Sequence, residues 1–112
     1  MIVSLSGGAK VAQSDMEGRY ILQAPTNDDR DNYWIQENGN AIIGFNYEFG
    51  GWSIGYPEYV SIQSQDTNIF DPLLASTWIY YAADGNWNES KDIFVGPGRP
   101  GDLDLIDLNL VV

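Results

Sequence analysis

Between residues 41 and 49 the chain alternates. Ala41, Ile43, Phe45, Tyr47 and Phe49 share one parity, and Gly44, Asn46 and Glu48 take the other. A period of two places the apolar set on one face of a β-strand. The same pattern recurs beyond the Gly50-Gly51 reversal, where Trp52, Ile54 and Tyr56 alternate up to Pro57. After it, Tyr59, Ser61 and Gln63 oppose Val60, Ile62 and Ser64. Upstream, Tyr20–Gln23 is a short run ended by Pro25, and the polar loop 26–32 leads into Tyr33–Gln36. Asn38-Gly39 and Asp84-Gly85 each predict a type I′ hairpin, a turn that needs positive φ at both central residues.

Residues 65–76 form the longest irregular stretch. Ile69 and Phe70 are expected to tuck under it, with one helical turn after Pro72. Thr77–Ala82 and Asp92–Val95 read as further strands, and Gly96–Gly101 as a loop. In the last segment the parity switches: Leu103 and Leu105 are odd, whereas Ile106, Leu108, Leu110 and Val112 are even. A bulge near Leu105-Ile106 accounts for the switch, or a strand covered on both faces. Residues 1–17 show no sustained period and read as a leader strand at most, and helical periodicity is absent over any useful length. The expected fold is all-β: one antiparallel meander of seven or eight short strands, closing into a small barrel or sandwich. The leader 1–17 precedes a single β domain, 18–112, with a C-terminal strand at 102–112.

Composition narrows the chemistry. Five Lys or Arg stand against 16 Asp or Glu, a net charge of −11, and the chain has neither His nor Cys. Disulfides, Ser-His-Asp and Cys-His catalysis, structural zinc and iron–sulfur ligation are thereby excluded. Lys10, Arg19, Arg30, Lys91 and Arg99 are scattered among carboxylates, which argues against nucleic-acid and anionic-lipid partners. The first ten residues lack the cationic start and apolar run of a signal peptide. No stretch has the length of a membrane span, so membrane insertion is not expected.

An ordered set of short motifs adds a resemblance. Gly18-Arg19-Tyr20, Arg30-Asp31-Asn32-Tyr33, Gly51-Trp52-Ser53-Ile54-Gly55, Pro72, Ser76-Thr77-Trp78 with Tyr80, Trp87 and Ile93-Phe94-Val95 follow one another. The series resembles a small Trp/Gly-rich β module repeated in large algal, protist and marine invertebrate proteins, over a core of residues 18–95. Asp31 stands where that module usually has proline, and the acidic strand after Gly101 is an addition. The resemblance implies a noncatalytic part of a larger extracellular or surface-associated protein.

Four Trp and seven Tyr are many for a chain of 112 residues. Trp52 and Trp78 read as core anchors. Trp34, Tyr81 and Trp87 lie on or beside turns. Exposed rings there can stack on sugars while Asp84, Asn86 and Asn88 bind hydroxyls. These six residues are the candidate ligand site. Asn88-Glu89-Ser90 is also a glycosylation sequon.

Two loops concentrate carboxylates, 28–32 and 101–104. Asp102 and Asp104 point to the same side of a strand and can share a cation such as Ca²⁺, or stand as solvated edge charges. Neither loop fits an EF-hand. The functional expectation is a noncatalytic glycan- or protein-binding module. The alternatives are a structural subunit whose terminal Leu/Val strand pairs with a neighbour, and a carboxylate glycoside hydrolase using Glu48 and Glu58 near Trp52.

Overall fold

The computed structural model describes residues 1–23 and 27–97. Its strands are β1 (Ile2–Leu5), β2 (Gly18–Gln23), β3 (Tyr33–Gln36), β4 (Ile42–Asn46), β5 (Gly51–Tyr56), β6 (Tyr59–Ser64), β7 (Trp78–Tyr81), β8 (Trp87–Ser90) and β9 (Ile93–Gly96). One helix, α1 (Gly7–Gln13), follows β1. All strand pairs are antiparallel and make one sheet in the order β8-β7-β6-β5-β4-β3-β2-β1-β9. The expected meander is present, with nine strands among the described residues curled into a nearly closed barrel. The expected strand 102–112, its bulge, and Asp102 and Asp104 lie outside the described residues.

The way the barrel closes follows from the order. β8 and β9 stand at opposite ends of the sheet, yet only Lys91 and Asp92 separate them in sequence. Eight antiparallel steps give both strands the same direction, and a two-residue link cannot join parallel neighbours. They are therefore successive halves of one bent strand, 87–96, whose first half pairs with β7 and whose second half pairs with β1. The inward positions change parity at the bend. Asn88 and Ser90 are half-buried in β8, and in β9 the buried Ile93 and the half-buried Val95 face the core. Lys91-Asp92 thus works as a bulge that turns the strand from one ladder into the other.

Inside the barrel, Val3, Tyr20, Ala41, Ile43, Trp52, Ile54, Ile62 and Trp78 form the core. Trp52 is wholly buried and receives Trp34 and Phe45 edge-on, at ring separations of 5.9 and 5.4 Å. Its indole N–H donates to the Ile69 carbonyl at 3.0 Å, so the polar end of the ring is not stranded. Both tryptophans expected in the core, Trp52 and Trp78, are there.

Ile69 does pack against the core, but Phe70 is exposed and lies under the Arg30 guanidinium, 4.7 Å from the ring centroid. The helical turn Pro72–Leu74 forms, with Asp71 accepting from the Leu73 N–H.

Three further features differ from the sequence reading. Residues 1–17 do more than lead in. Met1, Val3, Leu5, Ala9 and Met16 are buried in the common core, Ile2 is buried as well, and α1 occupies Gly7–Gln13. The helix escaped notice because only Ala9 of its seven residues is buried, which leaves no apolar stripe to read.

The two expected I′ turns are of another kind. In the β7–β8 hairpin the Gly85 N–H donates to the Ala82 carbonyl and Ala82 N–H to the Asn86 carbonyl. Only Gly85 has positive φ there, which makes a three-residue loop ending in a left-handed glycine. Between β3 and β4 the loop Glu37–Asn40 is closed by Gln36 N–H to Ala41 O, and neither Asn38 nor Gly39 has positive φ.

The alternating run 41–49 also ends early, at Asn46. There the Gly50 N–H closes back on the Asn46 carbonyl, with Gly50 at φ +80°.

Candidate functional site

The β7–β8 hairpin gathers five of the six proposed ligand-binding residues. Tyr81 and Trp87 face each other across the ladder, their rings edge to face with centroids 5.5 Å apart. Both are open to solvent, at 44% and 40% of their surface. The turn between them is stiffened by Asp84, whose carboxylate accepts from the Asn86 N–H at 2.9 Å. Asn88 donates from its side chain to the Asn86 carbonyl at 3.3 Å. Asp84 and Asn86 are exposed, and Asn88 is half-buried. The hairpin is thus a rigid finger with two ring surfaces and amide and carboxylate groups at its tip.

Trp34 is not part of this group. It sits on β3, five places from β8 in the sheet order, between Leu22 and Ile43. Its ring packs against Trp52 and helps line a recess of about 160 Å³ with Met1, Phe70, Pro72 and Leu73.

The structure adds a wall to the hairpin that the sequence reading missed. Helix α1 packs beside β7, and Gln13 donates from its side-chain amide to the Tyr81 carbonyl at 2.7 Å. Gly8 lies against the Tyr80 hydroxyl, where a Cβ would come within 2.6 Å of the oxygen. The result is an open groove of about 660 Å³ between the helix and the hairpin, lined by Val11, Gln13, Tyr80, Tyr81 and Asp84 among others. Val11 is 87% exposed on its rim. The local signal was propensity alone: Ala9, Lys10, Ala12 and Gln13 are good helix formers placed just after Ser6-Gly7-Gly8, with no apolar stripe beside it.

A second depression, of about 430 Å³, lies on the outer face of β4–β6. Ile42, Gly44, Ser53, Gly55 and Val60 line it together with Tyr47, Glu48, Tyr56 and Pro57. Its glycines have different reasons. A Cβ on Gly55 would stand 2.5 Å from the Tyr59 carbonyl and 2.9 Å from the Ser61 nitrogen, because a bulge at Ser61 drives the β6 backbone against it. At Gly44 the nearest atom to such a Cβ is the Tyr33 Cβ at 3.9 Å, an ordinary contact.

The first acidic loop is organised around its arginine. Arg30 makes a forked pair with Asp28, at 2.9 and 3.1 Å, and its guanidinium stacks over Tyr47 and Phe70. Hydrogen bonding from Arg30 holds the Asp28 carboxyl below the usual carboxylate range. Asp31 accepts from the Tyr47 hydroxyl, which raises the phenol above its ordinary value. These carboxylates are already matched to protein donors. Among the described residues no three Asp or Glu side chains converge as a metal-holding group. Asp102 and Asp104 fall outside those residues. Glu48 and Glu58 are exposed in turns, while Trp52 faces the core. Among the described residues no helix is long and apolar enough to cross a membrane.

The chain matches no protein-family model, no curated protein and no solved structure.

Proposed function

We propose that this domain is a noncatalytic glycan-binding module and that the β7–β8 hairpin is its contact surface. One observation carries the reading: Tyr81 and Trp87 stand exposed and locked edge to face, with Asp84 and Asn86 in the turn that joins their strands. Ring faces attract the C–H faces of sugars, and a carboxylate and an amide beside them accept and donate to hydroxyls. The groove against α1 supplies a second wall, with the Tyr80 hydroxyl and Gln13 near its floor. A net charge of −11 suits a neutral polyhydroxyl ligand better than an anionic one. The resemblance to noncatalytic surface modules points the same way.

The test is a glycan array followed by titration of any hit, with and without Ca²⁺. Trp87→Ala and Tyr81→Ala are expected to weaken binding about tenfold or more while costing about 1–2 kcal/mol of stability, since each ring is partly covered and packs edge to face on the other. Silence across the array, or full affinity in both variants, refutes the proposal. The calcium arm decides whether Asp102 and Asp104 take part: if they do, binding requires Ca²⁺ and is lost, even with Ca²⁺ present, in Asp102→Asn/Asp104→Asn.

A further inference from the structure

The groove of about 660 Å³ between α1 and the β7–β8 hairpin has a lining of two kinds. Val11, Ala12, Ala82 and Ala83 contribute methyl groups, and Gln13, Tyr80 and Asp84 stand among them. Two of the polar groups are set in complementary senses. Gln13 donates its side-chain NH₂ to the Tyr81 carbonyl at 2.7 Å. That bond orients the amide and leaves its carbonyl oxygen to act as an acceptor. Tyr80 stands opposite Ile62 in the ladder and packs on the core, and its hydroxyl comes up against Gly8. A Cβ at residue 8 would lie 2.6 Å from that oxygen, so a glycine there leaves room for a hydroxyl that can donate.

An acceptor, a donor and a patch of methyl groups together complement one common sugar substituent. An acetamido group offers an N–H, a carbonyl oxygen and a methyl on a single planar frame. The groove also adjoins the ring surface of the hairpin, because Tyr81 both lines it and packs on Trp87. A pyranose against Tyr81 can therefore direct a substituent towards α1.

We propose, resting on the glycan-binding reading of the hairpin, that this groove is a subsite for the acetamido group of neutral N-acetylhexosamines. The acetamido N–H donates to the Gln13 carbonyl oxygen, its own carbonyl accepts from the Tyr80 hydroxyl, and its methyl lies against Val11 and Ala12. A methyl wall alone would suit a deoxy sugar equally well. The donor and acceptor beside it are what favour the amide, since a deoxy sugar leaves both unmatched. A sialic acid carries the same amide but adds a carboxylate. Asp84 in the lining and a net charge of −11 disfavour that group, so the ligand class is the neutral one.

The test is titration of the full chain with matched pairs of glycans that differ only at C2. Oligomers of N-acetylglucosamine and N-acetylgalactosamine are set against those of glucose and galactose, with a fucosylated and a sialylated glycan beside them. The N-acetyl member of at least one pair is expected to bind about tenfold or more tighter, as two added hydrogen bonds would give. Tyr80→Phe should cut that ratio about fivefold, by removing one of the two. Val11→Ser should cut it about threefold by withdrawing methyl contact, at a position 87% exposed, where replacement spares the fold. Trp87→Ala should weaken both members of a pair alike and leave the ratio in place. Equal affinity within every pair overturns the proposal while leaving the hairpin as a glycan surface, as does a preference for the fucosylated or sialylated glycan. A ratio that both Tyr80→Phe and Val11→Ser leave intact overturns it too, placing acetamido recognition outside the groove. Silence towards every glycan removes the glycan reading itself, and this subsite with it.

Discussion

The hydroxyl of Tyr20 donates to the carbonyl of Met16 at 2.6 Å, and both residues are buried in the barrel. Burial, with a smaller repulsion from Tyr56, pushes the phenol far above its ordinary value. An unfolded tyrosine ionises near pH 10 while the folded one keeps its proton. Stability from this group is therefore complete below about pH 10 and falls as the pH rises beyond it, by about 1.4 kcal/mol per pH unit. Urea titrations from pH 7 to 11 should show this decline. Tyr20→Phe should lose about 1 kcal/mol at pH 7 and flatten the alkaline limb by one proton. An unchanged limb would mean that Tyr20 ionises in place.

Gly55 and Gly44 offer a paired comparison. Alanine at 55 puts its Cβ against the backbone at Tyr59, Val60 and Ser61, which cannot yield as a flexible side chain does. Gly55→Ala should cost about 1–3 kcal/mol. Gly44→Ala meets only ordinary contacts and should be neutral or stabilising by up to about 1 kcal/mol, since it lowers the entropy of the unfolded chain. Equal urea midpoints for the two variants would contradict the bulge geometry.

Ser61 is the extra residue of that bulge. Its hydroxyl is buried and finds no hydrogen-bond partner among the described residues. A buried unpaired hydroxyl costs more than the methyl that replaces it. Ser61→Ala is expected to raise stability by about 1 kcal/mol. A loss of similar size would show that the hydroxyl has a partner in solution, such as a buried water.

Asp66 ties down the long loop between β6 and β7. Its carboxylate accepts from the Ser76 N–H and hydroxyl and from the Thr77 N–H, at 2.8 to 3.3 Å. The Ser76 hydroxyl bond, with the backbone N–H bonds behind it, holds its pKa below the ordinary value. A depressed carboxylate stabilises above the unfolded pKa, near 3.9, and the contribution is lost as the pH falls through the folded value. Amide protection at Ser76 and Thr77 should fade below about pH 4, ahead of global unfolding. Asp66→Ala should remove it at neutral pH and expose residues 65–77 to limited proteolysis. Persistent protection in the variant would show that packing alone holds the loop.

The strands were legible because their periodicity needs no tertiary context. Ile43, Phe45, Trp52 and Ile54 announce their face directly. The turns were legible in place but not in kind. Asp84-Gly85 serves a type I turn with a left-handed glycine as well as a type I′ turn, and the Asp84 carboxylate, capping Asn86, fits the former. Helix α1 was hidden, since a short helix that buries one alanine carries no pattern. Nor does any local signal reveal that Lys91-Asp92 passes the chain from one ladder to another, which only the closed sheet defines. For the candidate site the division is similar. Tyr81 to Asn88 are neighbours in sequence and so fall together on one hairpin, whereas Trp34 lies on another strand and the opposing wall arrives from α1, some seventy residues upstream.

Because β1 finds its second neighbour only in β9, the ring of staves has a latch about ninety residues away from the element it secures. During synthesis the intervening hairpins can assemble one by one as they leave the ribosome, each by a short loop closure. Nothing shuts until residue 96 has emerged. A nascent chain stalled before that point would hold most of its sheet yet expose the edge of β1 to any sticky neighbour.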